Sequence, residues 1–143
     1  MPVRQLVVRL LVAIAVVALL IQAIPVERKN AAVTSNVDAP PAVVSILRRA
    51  CYDCHSNETV WPRYSRVAPV SWLVAHDVHE GRRELDFSTW DRYDAVTRRR
   101  KLDRAAEEVS DGDMPPVYYV WMHPAARLSD ADRAALKDWF ARP

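Results

Sequence analysis

The apolar and polar positions divide the chain into a solid apolar run, a polar stretch without a period, and a longer region of amphipathic segments. Residues 10–24, LLVAIAVVALLIQAI, carry no charge. Adding Leu6 to Val8 across Arg9 gives about 19 residues, near the ~20 that a helix needs to cross a bilayer. Residues 25–41, PVERKNAAVTSNVDAPP, are polar and end in a Pro-Pro pair, which reads as a linker. From residue 42 onward apolar residues return at helical spacing. Val43, Val44, Ile46 and Leu47, with Pro41 as a start signal, predict a helix over 42–50. Residues 56–69, SNETVWPRYSRVAP, read as irregular. Val70, Leu73, Val74 and Val78 predict a helix with Gly81 as its carboxy-terminal stop. Ser88 with Asp91 resembles a capping box opening a short helix. Leu102, Ala105, Ala106 and Val109 predict another helix ending near Gly112, followed by a loop holding MPPVYY. Ser129 with Asp132 forms a second capping box, and Ala135, Leu136, Trp139 and Phe140 line one face of a last helix. About five helices and no convincing strand make the expected fold class all-α.

Composition sharpens this picture. The 143 residues suffice for one small domain beyond the apolar run. The expected organisation is a membrane anchor over 1–24, a linker over 25–41 and a helical domain over 42–143. Only 2 glycines against 10 prolines fits helices better than tight-turned β-structure. Arg4 and Arg9 precede the apolar run with no acid beside them, and the positive-inside rule then leaves the amino terminus in the cytoplasm and sends the rest outside. A cleavable signal would need a small-x-small site. Ile21 occupies the −3 position of a cut after Ala23, and Pro25 follows closely, so an uncleaved single-pass anchor is favoured. The formal charge is +2. Beyond residue 24 basic and acidic side chains balance, which argues against a nucleic-acid-binding surface. The one dense basic run, RRRK at 98–101, reads as a solvated helix face.

The chemistry concentrates in CYDCH, residues 51–55, which holds both cysteines and one of the 4 histidines. Three chemistries compete for it. A redox CxxC pair normally sits in a βαβ setting, and no strands are expected here. A zinc site needs four ligands, for which His76, His79 and His123 are the remaining imidazoles. The third is covalent haem attachment, for which C-x-x-C-H is the signal. Each thiol, of Cys51 and of Cys54, adds to one haem vinyl group, and His55 follows as proximal iron ligand. Of the methionines, Met114 is the best distal ligand: it lies in DGDMPP, where two prolines stiffen the backbone. His76, His79, His123 and Met122 are the alternatives, and Arg63 and Arg66 could pair with haem propionates. The expected function is therefore one-electron transfer by a membrane-tethered monohaem c-type domain on the periplasmic side, with unknown redox protein partners. A haem sensor or peroxidase-like site with an open sixth position stays open, as does a zinc or disulfide interaction domain. No residue set reads as a general acid–base pair, and nothing points to a small-molecule substrate or an enzyme.

The blocks CYDCHSNET, WPRYS, APVSWLV, DVHEGR, FSTW, DMPP and HPAARLS, in this order, resemble the bacterial haem-binding domain family of exported, cytochrome-c-like proteins. The resemblance covers residues 25–139. It implies a cytochrome-c-like fold with one covalent haem c, Cys51 and Cys54 as attachment cysteines, His55 as proximal ligand and Met114 as the residue before the family's proline. Where the family usually reads WPWYS, this chain has WPRYS, with Arg63 in place of an aromatic residue.

Overall fold

The computed structural model describes residues 2–142. Among them the regular elements are helices and 3-10 turns, with one isolated β-bridge between Ser35 and Thr89, so the expected all-α class holds. The chain divides into two compact units.

The first unit combines the residues up to Lys29 with residues 61–77. Helix α1, Val3–Leu20, continues into a 3-10 turn over Ile21–Ala23 and buries no side chain. The stretch Val3–Ala23 is long and apolar enough to cross a membrane. Its outward faces are Leu, Val and Ile almost throughout, which in water would be an unpaired apolar surface. Residues 61–69 form an irregular loop with a 3-10 turn at Arg63–Arg66.

The second unit comprises residues 30–60 and the chain from Val78 onward. Helices α2 (Pro41–Ala50), α5 (Ala95–Asp111) and α7 (Asp130–Phe140) pack together around Leu47, Leu102, Val109, Leu136 and Phe140. The one-turn helix α3 (Tyr52–His55), the carboxy-terminal part of α4 (Val70–Glu84) and the six-residue α6 (Val117–Met122) complete it. An aromatic series threads the core. Tyr52 stacks on Phe87 at 5.5 Å, Phe87 meets Trp90 at 6.2 Å, Trp90 meets Trp139 at 6.3 Å, and Trp139 meets Phe140 at 5.3 Å. Each such ring buries on the order of 150–250 Å². The segment read as a linker carries structure of its own: Val37 is buried, and the Thr34 and Ser35 amides donate to the Ser88 carbonyl.

Helix ends follow local chemistry in three places. Asp94 caps α5, accepting from the Thr97 amide at 2.7 Å. Gly112 ends the same helix with φ of 86°, the left-handed conformation that glycine adopts without strain. Ser129 and Asp132 make the expected reciprocal capping box on α7. Three expectations are corrected. Gly81 does not end α4, which runs three residues further. Ser88 caps nothing: it is fully buried and its hydroxyl accepts the Asn57 amide, while Asp91 accepts from Thr34 and Ser35. The MPPVYY stretch is only partly a loop, because helix α6 begins directly after Pro116.

Candidate functional site

Helix α2 delivers the chain into CYDCH. The Cys51 amide bonds the Leu47 carbonyl at 2.8 Å, and the backbone then turns once through α3, with the His55 amide on the Cys51 carbonyl at 2.9 Å. One helical turn carries the two thiols and the imidazole on a single rigid segment. Ser56 closes it: its buried hydroxyl donates to the Tyr52 carbonyl at 2.7 Å.

Three neighbours fix this turn. The segment after α4 runs alongside His55: the Phe87 amide donates to the His55 carbonyl at 2.8 Å, and the Leu85 carbonyl lies 3.0 Å from His55 Nδ1. Helix α4 presses Gly81 onto the motif's backbone, where a Cβ would stand 2.5 Å from the Cys54 carbonyl oxygen. One residue on, the Arg82 guanidinium donates to the Ser56 carbonyl, the Thr59 hydroxyl and the Asn30 side-chain oxygen, each at 2.8 Å. On the other flank Asp53 accepts the Tyr119 hydroxyl from α6 at 2.8 Å and the Val60 amide at 3.0 Å.

The hydrogen bond to Leu85 settles the imidazole's chemistry. A backbone carbonyl only accepts, so Nδ1 carries the hydrogen and Nε2 keeps its lone pair. Burial pulls the His55 pKa down, against the Leu85 and Gly81 carbonyls that favour its proton, so the ring is neutral at neutral pH. A neutral ring held through one nitrogen, with the other basic, is the form that binds a metal ion.

Cys51 and Cys54 are thiols here rather than a disulfide. Burial pushes the Cys51 thiol up to about 12, with the Cys54 charge adding to it and Arg49 opposing. A redox CxxC motif works by the reverse, a thiol pulled down toward neutrality. The zinc reading also lacks its ligands. His76 and His79 are exposed, and His123 stacks on Tyr119 at 4.3 Å with Nδ1 at the Tyr119 carbonyl. Among the described residues no group of three or more His, Cys, Asp or Glu side chains is placed to hold a metal ion.

Met114 follows Gly112, where the Asp113 and Met114 amides both bond the Glu108 carbonyl and turn the chain off α5. It is half-buried and packs against the same core cluster as Cys51. Pro115 behind it is buried, and α6 starts two residues later with the Tyr119 that reaches Asp53. The site residues that sequence reasoning missed are Leu85, Arg82, Asp53 and Tyr119. Leu85 acts through its backbone and leaves no sequence signal. The other three are polar side chains that, apart from the contact of Asp53 with the Val60 amide, have partners 23 to 66 residues away.

The donor set, two thiols separated by two residues and a pre-oriented imidazole, fits a covalently held haem. A family model described as a haem-binding domain matches residues 16–142. No curated protein and no solved structure matches the chain.

Proposed function

Since the chain belongs to the haem-binding domain family, we propose that it is a membrane-tethered c-type cytochrome domain that binds one haem and passes single electrons outside the cytoplasmic membrane. Bound haem supplies the one-electron iron couple, whose potential is set by the axial ligands and their surroundings. The residues of this chain do the rest. Cys51 and Cys54 form the two thioether links. His55 offers Nε2 as proximal ligand, and the Leu85 carbonyl fixes its tautomer and increases its basicity. Met114 offers its thioether as distal ligand from a loop tethered at Glu108 and backed by a buried proline. Val3–Ala23 is the single-pass anchor, and Arg4 and Arg9 at its start hold that end in the cytoplasm.

The observation that carries this reading is the Nδ1 hydrogen bond from His55 to Leu85, because it prepares the imidazole next to the second cysteine for iron. An absorption spectrum of the full chain tests it. The reduced protein should show a sharp c-type α-band, and the oxidised protein the weak near-infrared band of sulfur–iron ligation. Met114→Ala should abolish the near-infrared band and open the iron to carbon monoxide. A wild-type spectrum that is already high-spin and binds carbon monoxide would replace the electron carrier with a sensor or peroxidase-like site.

A further inference from the structure

The first unit holds a feature that electron transfer does not use. Gln22 sits one residue from the end of the apolar stretch Val3–Ala23. Its side-chain amide pairs with the backbone of Ala68 in both directions: Nε2 donates to the Ala68 carbonyl at 3.2 Å, and the Ala68 amide donates to Oε1 at 2.9 Å. Arg28 adds a second tie, donating to the Ser65 carbonyl at 3.1 Å. The loop 62–68 is therefore latched at two points to the chain that leaves α1, at Gln22 on the 3-10 turn that ends the apolar stretch and at Arg28 beyond it.

Depth follows from this latch. A helix rises 1.5 Å per residue, so the apolar stretch spans about 30 Å, the thickness of a hydrocarbon core. Gln22 then marks the boundary between hydrocarbon and headgroups, and Ala68, hydrogen-bonded to it, stands at the same level. The residues around Ala68 suit that level. Val67, Val70 and Leu73 are apolar and 56%, 43% and 48% exposed. Arg63 and Arg66 on the adjoining 3-10 turn are exposed, and residues 61–76 contain no Asp or Glu.

We propose that residues 63–73 form a membrane-resting surface, in which Val67, Val70 and Leu73 enter the headgroup layer beside α1 while Arg63 and Arg66 pair with anionic phospholipid headgroups. This surface rests on the reading of α1 as a membrane span. Apolar side chains shallowly inserted beside cationic ones are the arrangement by which peripheral segments bind anionic bilayers. Arg63 gains a role by this account, because a guanidinium grips a lipid phosphate with paired hydrogen bonds and an aromatic ring at that position cannot.

Photolabelling tests it on the full-length holoprotein. The chain is reconstituted in bilayers of phosphatidylcholine with phosphatidylglycerol that contain a lipid bearing a diazirine near its glycerol, and adducts are mapped by mass spectrometry. Adducts should appear on α1 peptides and on the peptide carrying Val67, Val70 and Leu73. Replacing phosphatidylglycerol with phosphatidylcholine, or making Arg63→Gln with Arg66→Gln, should lower the second set by about fivefold for each arginine–phosphate pairing removed and leave the α1 set unchanged. Adducts on α1 with none on residues 63–73 overturn the resting surface and leave the anchor standing. An absence of adducts on α1 overturns the anchor and the surface together. A yield on residues 63–73 that ignores both lipid charge and the arginine changes overturns the headgroup pairing.

Discussion

The chain has two glycines, and in the sequence they look alike. Each follows apolar residues at helical spacing and reads as a helix stop. Gly112 is one: its φ of 86° turns the backbone off α5, and a Cβ there would meet nothing within 4 Å. Gly81 is not. It lies inside α4, and a Cβ would collide with the carbonyl oxygen, carbonyl carbon and Cβ of Cys54. One glycine is required by its own backbone angle and the other by a neighbour 27 residues away. Around Gly112 and the α7 capping box, structure follows from residues a few positions apart. Around CYDCH, it follows from contacts that only the folded chain creates. Changes at the α7 capping box should alter stability alone, a change at Gly112 should alter stability and reach iron only through the Met114 loop it opens, and changes around CYDCH should alter stability and haem content together.

Gly81→Ala carries the largest expected effect. Its methyl group meets backbone rather than a side chain that could swing away, so α4 or the Cys54 peptide must shift. Overpacking of this kind costs about 1–3 kcal/mol. The displaced peptide leads directly into His55, so haem content and the visible spectrum should change as well, read by absorption and thermal melting of the same sample. An unchanged spectrum and melting point would dissolve the distinction between the two glycines.

Asp132 gives an intermediate effect: its capping contacts with Ser129 are local, and Arg49 of α2 adds one partner from elsewhere in the fold. Hydrogen bonds from the Ser129 hydroxyl and amide, with Arg49 at 2.5 Å, hold its carboxyl down to about 2 from 3.8. A lowered folded-state pKa stabilises the fold above the unfolded value and loses that contribution as pH falls from 3.8 through 2. Discounted for partial exposure, the contribution is roughly 1 kcal/mol at neutral pH. Asp132→Asn should lower the denaturation midpoint at pH 6, converge with the wild type near pH 2, and leave the haem spectrum untouched. A constant gap between the two proteins across that range would remove the carboxylate from the account.

Gly112→Ala should have the smallest effect, because about 1 kcal/mol of left-handed backbone strain is partly offset by the lower entropy that alanine leaves in the unfolded chain. Chemical denaturation should detect it, haem content should not change, and any spectral effect should be confined to the near-infrared band of the Met114 ligand. A fall in haem content would mean that the end of α5 also supports CYDCH, and that the two regions are less separate than their contacts imply.

What was legible in the sequence follows the same division. Helix α2, the α5 end and the Ser129–Asp132 box were readable because their signals are a few residues apart. CYDCH stood out because its two thiols and imidazole fall within five residues of one another, and covalent attachment through them is what the proposed function adds. Ser88 misled because the short 3-10 turn that follows, Trp90–Arg92, has Thr89 at its cap position, while Ser88 is buried and holds the Asn57 amide. The FSTW block makes sense only in the fold. Phe87 stacks on Tyr52, its amide bonds His55, Ser88 anchors Asn57 and Trp90 meets Trp139. The Leu85 carbonyl that orients His55 could not have been read at all, since every residue but its geometry offers the same acceptor.

Haem extraction from the denatured full-length protein tests the central claim, covalent attachment through Cys51 and Cys54, most directly. The holoprotein is unfolded in acidified organic solvent and the haem is followed between solvent and polypeptide. Haem should stay with the wild-type chain and leave completely from the variant carrying Cys51→Ser and Cys54→Ser. Complete release from the wild-type chain would contradict the account and leave a haem held by ligation and packing alone.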